Sequence, residues 1–158
     1  MKTEKTAYIC GPLTELPPKN RRKAKRFYES LAGAFWDVTG TSAFVPHQHF
    51  DPVKHSRFTP VEVDAVERKR VCECTSLLVV AAIAPSWGGG IEVEMARESN
   101  VPVVILCRQK KLGDGRVSRL LRGNPAVIQI LSSGSDRAIV DEFRDWLRKN
   151  WHDPYADC

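Results

Sequence analysis

One acidic residue, Glu92, follows a run of three glycines and has the placement of a reactive carboxylate. The stretch 77–96 has the pattern of a buried strand, a glycine loop, and a helix that opens with acidic residues. Glycines let a backbone come close to a ligand, and a helix start presents N–H groups that lack partners. Open α/β sheets bind ligands beyond the carboxyl ends of their strands. The stretch therefore predicts a small-molecule site with an anionic reactive group.

Other polar or flexible residues also follow predicted strands. Gly11 follows the first strand, His47 and His49 follow the second, and Arg108 follows the fourth. The ends of parallel strands meet at one edge of a sheet, which predicts that these residues converge on the site of Glu92.

Each candidate also has an ordinary structural interpretation. Glu92 could be only a helix-terminal acid, and His49 either a ligand contact or a capping or core residue. Tyr8 could line the site or belong to the core, and Trp87 could stack on a ligand or anchor its loop. Cys10 is interpreted as an inert thiol, because nothing in the sequence marks it as a thiolate.

Several cofactor and metal motifs are missing from the sequence. It contains no P-loop pattern, no Gly-x-Gly-x-x-Gly after the first strand, and no Gly-x-Ser-x-Gly elbow. Cys72 and Cys74 are separated by one residue, which does not match the ligand spacing of zinc sites. We therefore predict a site that uses neither a metal nor a cofactor.

Composition indicates a globular protein. The chain has 158 residues, of which 42% are hydrophobic, and no apolar run approaches the roughly 18 residues that a membrane span requires. An odd count of five cysteines favours reduced thiols, and we predict a cytoplasmic protein without a membrane partner. The net charge of +5 is partly concentrated in residues 19–26. This segment is interpreted as a solvated helix face, and nucleic acid is not expected to be a partner.

Apolar runs alternate with helical patterns, as in a parallel sheet with crossover helices. Five strands are predicted, at residues 6–10, 42–45, 75–83, 101–107 and 126–131. Helices are predicted at residues 20–34, 60–74, 90–99 and 135–151, with Thr59 as the cap of the second. The predicted fold is a three-layer, Rossmann-like (flavodoxin-like) α/β domain with a five-stranded parallel sheet. It occupies residues 1–151 and is followed by a C-terminal tail at 152–158.

Three blocks of sequence resemble one known family. They are Tyr8-Ile9-Cys10-Gly11-Pro12-Leu13, Val45-Pro46-His47-Gln48-His49, and Pro85-Ser86-Trp87-Gly88-Gly89-Gly90-Ile91-Glu92. These blocks resemble the nucleoside 2-deoxyribosyltransferase superfamily, closest in motif to its 2′-deoxynucleoside 5′-phosphate N-hydrolases. The third block is similar to the signature Pro-Ser-x-Gly-x-Gly-x-Glu, whose Glu is catalytic in that family. The resemblance also implies a homo-oligomer.

The resemblance implies roles for individual residues. Glu92 would be the nucleophile or ion-pair carboxylate at the anomeric carbon of a sugar. A second acid would protonate the leaving base, and the family's position falls on Glu67, with Asp64 one turn earlier as the alternative. Ser86 stands where the family's nucleotide hydrolases bind a 5′-phosphate. Tyr8, Gly11, His49, Trp87, Gly88 and Gly90 complete the implied substrate-binding set.

The resulting hypothesis is a nucleotide N-glycosidase. Its substrate would be a nucleoside 5′-monophosphate, whose base–sugar bond is cleaved by water with Glu92 as the central carboxylate. Two alternatives stay open: a deoxyribosyltransferase that exchanges bases on nucleosides, and a non-catalytic nucleotide sensor.

Overall fold

The computed structural model describes residues 5–152, in which strands and helices alternate. The strands are β1 (Thr6–Cys10), β2 (Thr75–Ala81), β3 (Val103–Arg108) and β4 (Val127–Ser133). The helices are α1 (Pro18–Thr39), α2 (His47–Phe50), α3 (Pro60–Cys74), α4 (Trp87–Glu98), α5 (Gln109–Gly113), α6 (Arg119–Arg122) and α7 (Asp136–Asn150).

The strands form one parallel sheet in the order β1–β2–β3–β4. Tyr8 pairs with Leu78, and the next two interfaces are also parallel, with Val80 opposite Ile105 and Ile105 opposite Ile130. The predicted α/β class with a parallel sheet is confirmed. The predicted count of five strands is wrong, because the described sheet has four.

The missing strand is the one predicted at residues 42–45. Only Phe44 pairs with β1, through a bridge in which its N–H donates to Ala7 O at 2.8 Å and its carbonyl accepts from Ile9 N at 2.9 Å. Pro46 follows directly, has no N–H to donate, and takes helical dihedral angles as the cap of α2. The segment therefore turns away from the sheet before a strand can extend.

Helix α4 begins earlier than predicted. It starts at Trp87 rather than at residue 90, because the Ser86 side chain accepts a hydrogen bond from Gly89 N and caps the helix. The three glycines consequently lie inside the first helical turns. Glu92 lies in the second turn, and it is buried rather than displayed at the helix start.

Alternation along the strands divides the interior into two layers. Ala7 and Ile9 face a cluster that includes Leu31 and Phe35 of α1 and Phe143 of α7. The opposite face of the sheet packs against α3 and α4, and its cluster includes Tyr8, Cys10, Leu78, Val80, Val71 and Val93. Since successive side chains of a strand point to opposite faces, Tyr8 and Cys10 are held on the side where α4 carries Glu92.

Within residues 5–152, no helix is both long enough and apolar enough to cross a bilayer. The cytoplasmic location stays a prediction. The domain limits also stay a prediction, and residues 153–158 of the predicted tail lie outside the described part of the chain.

A buried ion pair attaches the segment after α2 to α1. Asp51 accepts hydrogen bonds from Val53 N at 2.9 Å and Lys54 N at 3.0 Å, and its other oxygen pairs with the Lys25 ammonium. Burial alone would raise the pKa of Asp51, but the Lys25 contact and the backbone donors hold it well below its usual value. The carboxylate is thus ionised and fully partnered, and it fixes the turn that starts at residue 51.

We expect Asp51→Ala to destabilise the protein by about 3 kcal/mol, because it leaves Lys25 and two backbone donors without their acceptor. Urea unfolding at pH 7 measures the loss. Because the folded pKa of Asp51 is depressed, its contribution is complete above the ordinary aspartate pKa and is lost progressively as the pH falls from there through the lower folded pKa. The control is Asp64→Ala, which removes an exposed pair with Arg68 and should cost no more than about 0.5 kcal/mol. Equal losses in the two variants would contradict this role for Asp51.

Candidate active site

A cleft of about 570 Å³ opens where β1 and β2 end and where α4 begins. Six of the sequence-predicted site residues line it: Gly11, Asp64, Glu67, Ser86, Gly88 and Glu92. The far wall comes from α2 and the segment after it, with His47, Phe50, His55 and Phe58. The structure therefore brings the predicted acids together with the glycine-rich helix start.

Glu92 is the buried centre of this arrangement. Its residue is 9% exposed, and both carboxylate oxygens accept a hydrogen bond from β1. The Tyr8 hydroxyl donates to Oε1 at 2.5 Å, and the Cys10 thiol donates to Oε2 at 2.6 Å. Tyr8 is 0% exposed and does not itself line the cleft, so it acts on the cleft through Glu92.

Burial and hydrogen bonding act on Glu92 in opposite directions. Burial raises the pKa of Glu92 by more than the bonds from Cys10 and Tyr8 lower it, so the pKa lies above its usual value. Burial and the nearby carboxylate also raise the pKa of Tyr8 and of Cys10. Both donors consequently keep their protons at neutral pH and remain able to stabilise the charged form of Glu92.

The two candidates for the second acid have different environments. Burial, followed by the charge of Glu92, raises the pKa of Glu67 to about 7. Asp64 has a 54% exposed side chain that receives two bonds from Arg68, and these lower its pKa. Glu67 is therefore substantially protonated near neutrality and can donate a proton, whereas Asp64 stays ionised.

Ser86 and Gly88 form the helix end of the cleft. Ser86 Oγ accepts from Gly89 N at 3.1 Å, which leaves the Ser86 hydroxyl proton free to point elsewhere. The first N–H groups of a helix have no acceptor within it, so those of residues 87 and 88 are available to an anion. This end of the cleft suits a small oxyanion.

Besides Tyr8, three predicted binding residues lie away from the cleft lining. The ring of His49 stacks on Phe44 with a centroid distance of 4.8 Å. Burial together with Arg70 lowers the pKa of His49. Trp87 is 86% exposed, and Gly90 faces open space. Direct substrate contact by these residues stays a prediction.

The sequence interpretation missed two residues, Cys10 and Tyr28. Cys10, interpreted as inert, contacts Glu92; the signal for this was its position two residues after Tyr8, hence on the same face of β1. Tyr28 lines the cleft, donates to Pro12 O at 2.5 Å and has its ring against Gly11. His47, which was predicted to converge on the site, lines the cleft and has its Nε2 at 3.0 Å from Glu29. The sequence carried no pattern that connects residues 28, 29 and 47.

The described lining of the cleft contains no lysine or arginine, and its basic side chains are the histidines His47 and His55. Arg108, predicted to converge on the site, instead pairs with Asp136 and donates to Gly134 O at 2.6 Å. Within residues 5–152, no three His, Cys, Asp or Glu side chains are grouped so that they could hold a metal ion. Any anion in this cleft would be held by hydroxyl, amide and imidazole groups.

Comparisons with known proteins show the fold. No protein-family model matches the chain, and no curated protein matches it. Among solved structures, the CMP N-glycosidase BcmB of Clostridium botulinum matches with a TM-score of 0.63 and 15% identity, over 90% of this chain and 100% of that chain. A conserved protein from Enterococcus faecalis V583 matches with a TM-score of 0.59 and 14% identity, over 91% of this chain and 99% of that chain.

The shared fold is that of the nucleoside 2-deoxyribosyltransferase-like proteins, to which BcmB belongs. The resemblance drawn from the three sequence blocks is therefore confirmed for the fold. The branch of 2′-deoxynucleoside 5′-phosphate N-hydrolases stays a prediction at these identities.

We expect alanine to have graded effects at the glycines near Glu92. A Cβ at Gly90 would meet no atom within 4 Å, so Gly90→Ala should stabilise the protein by about 0.5–1 kcal/mol through helix propensity. A Cβ at Gly89 would lie 3.3 Å from Cys10 Sγ, and one at Gly11 would lie 2.4 Å from the Tyr28 ring. Gly89→Ala should therefore cost about 1–3 kcal/mol and Gly11→Ala at least as much. Thermal unfolding of the three variants checks the order, and a stabilised Gly89→Ala would contradict it.

Proposed function

We propose that this protein is an N-glycosidase that hydrolyses the base–sugar bond of a nucleoside 5′-monophosphate. The observation that carries the proposal is two carboxyl groups in one cleft, both with raised pKa values, one of which is held by two hydrogen-bond donors. Glu92 receives two hydrogen bonds that favour its ionised form, and Glu67 has a pKa raised to about 7. Glycoside hydrolysis uses such a pair, one carboxyl as acid and one as carboxylate.

The first step transfers the sugar to the enzyme. Glu67 gives its proton to a nitrogen of the base, the C1′–N bond breaks, and its electron pair leaves with the base. The Glu92 carboxylate bonds to C1′, or pairs with it as an oxocarbenium ion. The burial of Glu92 strengthens this contact, because little water competes for the charge.

The second step releases the sugar. Glu67, now ionised, accepts a proton from a water molecule, and that water attacks C1′. The bond to Glu92 breaks, which regenerates the carboxylate and yields the free sugar phosphate. Glu67 is again protonated, so the cycle needs no metal or cofactor.

The phosphate would lie at the start of α4. The Ser86 hydroxyl and the amides at residues 87 and 88 supply donors there, and a serine carries no charge that would repel the phosphate. The 5′-monophosphate substrate of the proposal depends on these groups.

A second function is favoured by one observation. No lysine or arginine lines the described cleft, which suits an uncharged nucleoside better than a phosphate dianion. On this alternative the same two carboxyls transfer a deoxyribose from one base to another, and the base rather than water attacks C1′ in the second step.

Incubation with a panel of nucleosides and nucleoside monophosphates should release free base, detected by chromatography. We expect Glu92→Gln to lose at least about 1,000-fold in kcat/KM, since no carboxylate meets C1′. Glu94→Gln, which changes an exposed acid on the same helix, should retain wild-type turnover.

Addition of a second free base to the same reactions separates the two functions. A hydrolase yields only base and sugar, whereas a transferase yields the exchanged nucleoside. Wild-type turnover in Glu92→Gln, or no base released from any compound, would overturn the proposal.

We expect kcat/KM to fall as the pH rises above about 7, because Glu67 must hold its proton for the first step and its pKa is raised to about 7. Glu67→Gln should lower kcat/KM by about 100-fold and remove this alkaline limb. Asp64→Asn is the matched control and should keep the limb. Loss of the limb in Asp64→Asn, with an unchanged profile in Glu67→Gln, would instead assign the acid to Asp64.

A further inference from the structure

Cys10 is the last residue of β1 and ends the strand directly beneath the candidate nucleophile. It is 1% exposed, and its thiol donates to Glu92 Oε2 at 2.6 Å. Two residues earlier on the same face, Tyr8 donates to Oε1 at 2.5 Å. The two donors therefore hold separate oxygens of one carboxylate.

We propose that Cys10 is a positioning residue for Glu92, its thiol fixing Oε2 while the Tyr8 hydroxyl fixes Oε1. The inference rests on the proposed function, since positioning has an effect on rate only if Glu92 meets a substrate. Cys10 itself touches no reacting atom in this proposal.

The physical argument concerns rotation of the carboxylate. The last torsion of a glutamate is broad, so one donor leaves the plane of the group free to swing. Two donors on two oxygens define that plane. Each oxygen has a second lone pair, so either can still face C1′. A displacement of about 1 Å at a reacting atom can cost about 100-fold in rate, so a defined plane has a large effect.

Few polar groups near Glu92 could hold its carboxylate in place of Cys10. Tyr8 and Cys10 face it from β1, Glu67 and Asp64 approach the cleft from α3, and His47 and His55 line the opposite wall. The acids on α3 do not favour ionisation of Glu92, because their own charge would have the same sign. The thiol is thus one of two donors that hold the buried carboxylate.

Gly89 supports the same interpretation. A Cβ on this residue would lie 3.3 Å from Cys10 Sγ, closer than side chains normally pack. The glycine lets the first turn of α4 lie against the thiol, and so brings Glu92, one turn later, within reach of Cys10.

A pair of variants isolates the hydrogen bond. Cys10→Ser replaces the sulfur with a smaller hydroxyl that can still donate, whereas Cys10→Ala removes the donor and leaves a small void. Cys107→Ala is the control, because Cys107 is 0% exposed in β3 and its sulfur lies 4.0 Å from Leu131 O, in contact with a backbone carbonyl rather than a carboxylate.

The readout is the pH profile of kcat/KM, together with the split between kcat and KM. Cys10→Ala should lower kcat about tenfold or more with KM changed less than about twofold, and should move the acidic limb to higher pH. Cys10→Ser should recover most of kcat and the wild-type limb, and Cys107→Ala should match wild type. Identical profiles for Cys10→Ala and Cys10→Ser would overturn the proposal.

A direct titration separates this inference from the proposed function. Full-length protein with ¹³C-labelled glutamate side chains reports the midpoint of Glu92 by NMR, with the signal assigned through Glu92→Gln. Cys10→Ala should raise that midpoint and Cys107→Ala should not, whether or not any base is released. An unshifted midpoint overturns the positioning role, whereas a shifted midpoint without turnover overturns only the glycosidase.

The wild-type protein provides a measurement that does not need a folded Cys10 variant. The Raman S–H stretch of a thiol that donates to a carboxylate lies at lower frequency than that of a free thiol. Glu92→Gln removes the charged acceptor and should move the Cys10 band to higher frequency. A band that stays in place would show that the thiol does not donate to Glu92.

Discussion

The burial of one carboxylate constrains this structure more than any other interaction. A charged oxygen removed from water is costly unless protein donors replace the lost hydration. Glu92 has such donors on both oxygens, the Tyr8 hydroxyl and the Cys10 thiol. Both donors come from alternate positions of β1. The end of that strand and the second turn of α4 must therefore lie at a fixed distance from each other. Removal of Glu92 would leave two buried donors without this acceptor, and removal of Tyr8 or Cys10 would leave one buried carboxylate oxygen without its donor.

The rest of the fold positions β1 and α4 for this contact. Alternation on β1 sends Tyr8 and Cys10 to the layer of α3 and α4, and Ala7 and Ile9 to the layer of α1 and α7. The Ser86 cap starts α4 early enough that Glu92 points inward. Helix α3 carries Glu67 to the same cleft, where burial beside Glu92 raises its pKa to about 7. The Glu92 carboxylate and the protonatable Glu67 thus line the same cleft.

Much of the fold could be predicted, because local signals were strong. Continuous apolar runs predicted β2, and Thr59 with Pro60 predicted the start of α3. The strand expected at residues 42–45 failed because Pro46 ends the pairing after one bridge. The contact between Cys10 and Glu92 joins residues far apart in sequence, and a thiol is rarely a carboxylate's partner. Composition could not show it, although strand alternation placed Cys10 beside Tyr8.

The sheet order has a consequence for how the molecule folds. Strands β2, β3 and β4 are neighbours in sequence as well as in space, each joined to the next by a short helical connection. Strand β1 pairs with β2 across all of α1, α2 and α3, so its contacts close a much longer loop. Loop closure costs more entropy as the loop lengthens, and long-range parallel pairing is slow. Strand β1 is then among the last elements to dock, and the carboxylate receives its two donors only at the end of folding.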